Sequence, residues 1–404
     1  MLLKLAVRNI LRQRTRTAMT LAAIVVSVIG LIVSSGFVED IFLQLGEAVI
    51  HSQSGHLQIA KTGYFAEGTR KPEQYLISDP EPLRRRVAGL AGVDDAMARL
   101  HFSGLLNNRR ADFAVVGEGI ESDRESRLGT YLTLKGGRQL VAGDRYAMLI
   151  GEGVAEALQL KPEDEATLLV STPEGATNAL PFRVVGVFAS FSKDYDAHTV
   201  KVPLAAAQEL LDTNGANVLV VSLQRTKDTA SVLAAVDAML AEQGFETQRW
   251  EVLNDFYKKT VDLYDRQLGV LKIIVLFMVL LSVTNTVNMT IHERTGEIGT
   301  MRAMGNRGVF VFSLLMTESA LLGLIGALAG LILGVVLAGV ISAVGIPMPP
   351  PPNANLGYTA QIRLLPGSLA GAFLIGCLAT MAACVLPALR VMKIGVVDAL
   401  RHNT

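Results

Sequence analysis

The segment from Thr290 to Arg307, TIHERTGEIGTMRAMGNR, holds the densest chemistry in the chain. Glu293 and Glu297 stand one helical turn apart, with Arg294 between them and Arg302 beyond. Ile298, Met301 and Met304 add an apolar edge. Such a short helix recognises by ion pairing and suits docking into a partner's groove. Packing on the membrane face is the other reading. A second series opens the chain. Lys4, Arg8, Arg12 and Arg16 repeat every four residues and share one helical face, opposite Leu3, Ala6, Val7, Ile10 and Leu11. That pattern predicts an amphipathic helix on the inner leaflet, its arginines meeting anionic headgroups.

Catalytic patterns are missing. The sequence has no G-x-x-x-x-G-K-[ST] phosphate loop, no H-E-x-x-H and no G-x-S-x-G elbow. Of six scattered histidines, His51 and His56 form the one close pair, short of the three or four ligands a metal needs. Cys377 and Cys384 share one apolar run, so no disulfide framework is expected. Asp94–Asp95 and Glu163–Asp164–Glu165 are expected in solvated turns. No metal and no cofactor of its own is expected.

Four apolar runs must position these groups. Ala18–Val38, Leu268–Met289, Val309–Val344 and Gly367–Leu389 each reach the roughly 20 residues that span a bilayer core. A cleaved signal peptide would have a shorter apolar run than the first and a small-residue cleavage site, so a retained anchor is expected. The third run would make a helix of about 54 Å, longer than the core, so a bend is expected near Glu318. Glu318 itself is either a functional intramembrane acid or a paired structural one. Gly323, Gly326, Gly330, Gly334 and Gly339 approach small-xxx-small spacing for close helix packing.

The expected division is therefore an amphipathic helix (1–17), a first span (18–38) and an outer domain with stalk helices (39–267). A second span (268–289), a cytoplasmic loop helix (290–308) and a third span (309–344) follow. An outer loop (345–366), a fourth span (367–389) and a cytoplasmic tail (390–404) complete it. The fold class is a membrane protein of four transmembrane α-helices, with a large α/β extracytoplasmic domain between helices 1 and 2.

The chain's 404 residues carry 37 basic and 37 acidic side chains, a net charge of zero that argues against a globally basic nucleic-acid binder. The three expected cytoplasmic segments hold 11 basic and three acidic residues, net +8. Residues 39–267 hold 24 basic and 33 acidic, net −9. That separation follows the positive-inside rule.

The outer segment reads as mixed α/β. Strands are expected at His56–Lys61, Asp112–Val116, Ala147–Ile150, Thr167–Val170, Phe182–Phe188 and Asn217–Leu223. Short helices are expected at Pro80–Leu90, Gly151–Leu160, Leu204–Leu211 and Thr229–Glu242. Pro162, Pro173–Gly175 and Asn214–Gly215 are turn signals. At its edges, Val38, Ile41, Phe42, Leu45 and Val49 keep helical spacing, as do Leu253, Tyr257, Thr260, Tyr264 and Leu268. These are either motion-transmitting stalks or ordinary packing faces.

Glu293–Gly305, ERTGEIGTMRAMG, resembles the E-R-x-x-E-I-G-x-x-R-A-x-G signature of FtsX-domain ABC transporter permeases. Ala6–Thr20, Glu318–Gly334 and Pro387–Arg401 resemble that family's leading helix, third span and closing segment. Ser54–Ile59, SGHLQI, is similar to the start of the outer domain in lipoprotein-releasing (Lol-type) and MacB-type permeases. The resemblance implies mechanotransmission. Two permease copies, identical or paralogous, bind separate ATPase subunits that hold ATP and magnesium, and stalks carry the motion outward. By carry-over, Glu293, Arg294, Glu297 and Arg302, with Ile298 and Met301, contact the ATPase. Acyl chains would enter at Val38, Ile41, Phe42 and Leu45. A periplasmic carrier or adaptor and a bacterial inner-membrane location are further implications. Drug, toxin or peptide export and FtsX-like regulation of outer enzymes remain alternatives.

Overall fold

A computed structural model describes residues 2–68, 72–129, 132–172, 175–241, 243–349 and 357–392. Pro173, Glu242 and the tail residues Lys393, Asp398 and Arg401 lie outside the described residues. The chain divides into two compact units. One comprises residues 1–42, 261–347 and 359–404; the other comprises 43–260 and 348–358.

The first unit is helical. It contains α1 (Leu2–Arg12) and the first part of α2 (Arg14–Val49). The α/β unit follows in sequence, with α3 (Pro80–Ala88), α4 (Ser122–Leu128), α5 (Glu152–Leu158), α6 (Lys193–His198), α7 (Leu204–Leu211), α8 (Thr229–Leu240) and α9 (Trp250–Leu253). The chain returns to the helical unit within α10 (Asp255–Glu293), then forms α11 (Thr295–Ala303), α12 (Gly308–Val344) and α13 (Pro366–Met392). Four of these helices are long and apolar enough to cross a membrane.

The leading helix differs from expectation. It breaks at Gln13, so Lys4, Arg8 and Arg12 lie on α1 while Arg16 lies on α2. Thr17 Oγ1 donates to Ile10 O at 2.9 Å and so bridges the break. Leu3, Val7 and Leu11 leave an exposed apolar stripe on α1, beside the exposed Lys4, Arg8 and Arg12. The helix α12 is hydrogen-bonded without interruption through Glu318. Its glycines admit α2 closely. A Cβ would stand 2.9 Å from Ile24 at Gly326, 2.8 Å from Val28 at Gly330 and 2.8 Å from Ile32 at Gly334. Gly339, by contrast, faces open space. Asp40, fully buried in α2, accepts from Gln361 N and Arg363 Nε, both at 2.8 Å.

The α/β unit is built on ten strands: β1 (Leu57–Lys61), β2 (Val93–Asn107), β3 (Asp112–Ile120), β4 (Thr133–Gly137), β5 (Ala147–Gly151), β6 (Glu165–Ser171), β7 (Thr177–Ala189), β8 (Thr199–Pro203), β9 (Val218–Leu223) and β10 (Phe245–Arg249). Their order is β10-β1-β9-β2-β3-β8-β5-β7-β4, with β6 pairing β2 and β7. The sheet is mixed: β3–β8 and β5–β7 are parallel. One core packs Leu57, Ile59, Leu219 and Val221 against Leu83 and Val87 of α3 and Val232 and Val236 of α8. Each such buried side chain contributes about 1.5–3 kcal/mol relative to exposure. A second core joins Phe102, Leu168, Phe182 and Val200 to α5 and α7.

Local signals explain the boundaries. Asp79 caps α3 by accepting from Glu81 N at 3.1 Å, and Pro80 opens the helix. Gly55 turns the chain from a π-helical turn (Ile50–Ser54) into β1 at φ +64°, where a Cβ would strike Val220. The expected turn at Asp94–Asp95 is instead part of β2. Asp95 faces Arg124 at 2.6 Å and Arg127 at 3.0 Å, while Asp94 is exposed, so the strand accommodates both acids.

Candidate functional site

The charged groups of the 290–308 loop are paired within the helical unit. The α10 helix ends at Glu293, Arg294 leaves helical geometry (φ −101°, ψ 12°), and α11 begins at Thr295. Gly296 and Gly299 on α11 are buried, and Ile298 is buried beside them. Ile298 joins Val311 and Leu315 of α12 in the apolar core, with the half-buried Met301 packed against it. Gly305, at φ +93°, ends the loop in a left-handed turn that favours glycine.

The polar side chains converge on the start of the chain. Arg16 donates twice to Glu293, both bonds at 2.6 Å. Arg12 Nη2 donates to Glu297 Oε1 at 2.6 Å. Arg294 points inward. Its Nη1 lies 3.2 and 3.3 Å from the two oxygens of Glu318, and its Nε lies 3.1 Å from Glu297 Oε2. Asn9 Nδ2 donates to the same Glu318 at 2.5 Å. Arg302 reaches Met392 O at 3.4 Å. Burial alone would raise the Glu297 carboxyl, but the bonds from Arg12 and Arg294 outweigh it and hold the group below its usual range.

The residues singled out by sequence thus separate into two sets. Glu293 and Glu297 are exposed and carry exposed pairs. Arg294, at 8% side-chain exposure, and Ile298 face the interior. Arg12 and Arg16 meet acidic side chains, and Lys4 and Arg8 stay exposed. Glu318 is a paired acid. Val38, Ile41 and Leu45 are buried and Phe42 is half-buried, its ring 6.0 Å from that of Tyr264. Asn9 carried no sequence signal, because its partner lies 309 positions away.

The α/β unit holds a second charged constellation. Arg99, Glu118, Glu125 and Lys201 are all at most 5% exposed. Arg99 grips Glu125 through Nε and Nη2 and also donates to Gln53 O. Lys201 Nζ stands 3.1 Å from Glu125 and 3.3 Å from Glu118. Burial would push the Glu118 carboxyl up, but Lys201 and Arg99 hold it at about 2. Nearby, burial lowers His56 to about 4. Its Nδ1 accepts from Leu223 N at 3.1 Å, which leaves Nε2 to donate to Thr226. Among the described residues, no group of three or more His, Cys, Asp or Glu could hold a metal.

Two family models match successive stretches of the chain. The MacB-like periplasmic core domain matches residues 17–239, and the FtsX-like permease C-terminal domain matches residues 269–396. An uncharacterized ABC transporter permease of Methanocaldococcus jannaschii is 26% identical, over 92% of this chain and 91% of its own. The lipoprotein-releasing system transmembrane protein LolC of Neisseria meningitidis serogroup B is 23% identical, over 80% of this chain and 76% of its own. The pyoverdine export ATP-binding/permease protein PvdT of Pseudomonas aeruginosa is 29% identical over 40% of this chain. That stretch is 26% of its own length, so the chain spans about a quarter of that relative.

Proposed function

Because the chain belongs to the MacB-like, FtsX-like family of ABC transporter permeases, we propose that it is the permease subunit of a mechanotransmissive transporter for a lipidated or hydrophobic substrate. Lipoprotein release is the favoured version. What supports it is the LolC likeness over 80% of the chain; drug, toxin or peptide export is the alternative, supported by likeness to a pyoverdine export protein over a similar share. ATP and magnesium belong to a partner ATPase dimer. A second permease copy or a paralogue stands across the axis, and a carrier or adaptor receives the substrate. The setting is the bacterial inner membrane, with the α/β domain outside.

The ion pairs supply the mechanical route. Exposed pairs such as Arg12–Glu297 and Arg16–Glu293 contribute only about 0.2–1 kcal/mol each. They exchange readily for ATPase contacts, so Glu293 and Glu297 are the groups offered to the ATPase, with Arg302 and Met301 at the edge. The Arg294–Glu318 pair is buried and stays made, so displacement of α11 is passed to α12. Arg294 and Ile298 are positioning residues in this scheme. At the substrate end, Val38, Ile41 and Leu45 are covered, so an acyl chain meets Phe42 first, and only when α2 moves.

The test is reconstitution of the full complex in proteoliposomes with fluorescently acylated lipoprotein. Phe42→Glu is expected to cut extraction by about tenfold, the effect of some 1.4 kcal/mol. Unchanged extraction would remove the acyl route. Recovery of a cell-wall hydrolase with the complex, and no lipid cargo, would favour the regulatory reading instead.

A further inference from the structure

The α/β unit contains a cleft of about 710 Å³ to which the transport reading assigns no role. Its floor is one face of the sheet. Gln58 of β1 lies in register with Gln248 of β10, and His101 of β2 lies in register with Glu118 of β3. Alternate positions add Arg99 on β2 and Glu246 on β10, and these polar groups flank an apolar patch of Ala60, Met97, Val218 and Val220 on the same face. The opposite face of β1 and β9 carries no such polar groups and is covered by α3 and α8. Two of the four buried charged groups, Arg99 and Glu118, line this cleft. A concave site with convergent polar groups beside strongly perturbed carboxylates is the pattern of a ligand pocket.

The charges indicate what enters. Arg99 and Lys201 balance Glu118 and Glu125 within the protein. The cleft wall then adds Glu246 and Asp255. His101 adds no cation, since burial lowers it and Tyr64 Oη lies 2.8 Å from its Nδ1. Three carboxylates therefore face one guanidinium among the lining residues; that guanidinium is already held by Glu125, and Asp255 has only an exposed partner, Lys259, at 3.9 Å. The rings of Tyr64 and Phe65 form a further wall, set edge to face at 5.5 Å. Aromatic faces and carboxylates together favour an organic cation. We propose that this cleft binds a small organic cation carrying primary ammonium groups. Val252 and Asp255 on its wall lie at the point where the chain enters α10, so an occupant bears on the start of that helix.

Isothermal titration calorimetry on the full chain in non-ionic detergent tests this with three ligands of equal length: 1,6-diaminohexane, 1,6-hexanediol and adipate. The diamine is expected to bind saturably, with the diol and the diacid weaker by at least about tenfold. The double variant Glu246→Gln and Asp255→Asn should weaken the diamine by a similar factor at an unchanged melting temperature. Glu246→Gln removes the charge but keeps a side-chain oxygen to accept from Phe65 N, as Glu246 Oε1 does at 2.9 Å, so folding is preserved. Absence of saturable diamine heat, equal binding of all three ligands, preference for adipate, or undiminished binding by the double variant would each overturn the proposal. The three-ligand comparison on the unaltered chain stands whether or not the variant folds.

Discussion

Arg294→Ala is expected to destabilise the helical unit by about 3–5 kcal/mol, because it leaves the buried Glu318 carboxyl without its guanidinium partner. Asn9 remains as a single donor to that carboxylate and does not replace a guanidinium. The expected order of melting temperature is wild type, then Arg294→Ala with Glu318→Ala, then Arg294→Ala alone. The double variant is the milder one because it removes the unpartnered buried carboxyl as well as its partner. Thermal scans in one detergent at one scan rate measure this. If the single variant melts with or above the double, the pair is not the buried link between α11 and α12 that the geometry indicates. Arg294→Lys should fall between wild type and alanine, since a lysine keeps the charge but cannot serve Glu318 and Glu297 together through a planar fork.

The second large effect lies in the α/β unit. Arg99→Ala removes the guanidinium that grips Glu125 and supports Glu118, again a loss of about 3–5 kcal/mol at neutral pH. This loss is pH-dependent, and its sign follows from the carboxylates. Glu118 is lowered from 4.5 to about 2 in the folded protein, and Glu125 is lowered as well. Their charge-linked stability is therefore fully present above 4.5 and drains away as pH falls toward about 2. Without Arg99 the carboxylates take up protons at higher pH, so the variant has less of this stability to lose. The gap in melting temperature between wild type and Arg99→Ala should narrow from neutral pH to about pH 3. A gap that stays constant would show that lost packing around the arginine stem, rather than lost charge, explains the variant.

The elements that were legible are those with a strong period. The glycines Gly326, Gly330 and Gly334 announced a close helix contact, and α2 fills it with Ile24, Val28 and Ile32. The α/β character, α7 over Leu204–Leu211 and the strands β5 and β9 follow from runs of Val, Leu and Ile between turn signals. The longest strand, β2, was not legible. Its alternation is broken by Asp94, Asp95, Arg99 and His101, and a buried arginine looks like a surface residue until Glu125 is known to face it. The same limit applies at the loop. Periodicity placed Arg12 and Arg16 on a charged face and suggested headgroups as their partners. It had no means of showing that Glu297 and Glu293, more than 270 positions away, stand opposite them. Short-range pattern reports which face is charged; only the tertiary fold reports what the charge meets.

ATP hydrolysis by the partner ATPase, measured with this chain in nanodiscs, tests the mechanical account most directly. The wild-type chain should stimulate hydrolysis. Glu297→Lys should reduce that stimulation by about tenfold or more, equivalent to some 1.4 kcal/mol of coupling. The chain should still fold, with only a modest fall in melting temperature, because Glu297 and Arg12 are exposed and Arg294 keeps Glu318 as its buried partner. Full stimulation by a folded Glu297→Lys chain would contradict the account, since the loop at Glu293–Gly305 would then not be where the ATPase and the permease are joined.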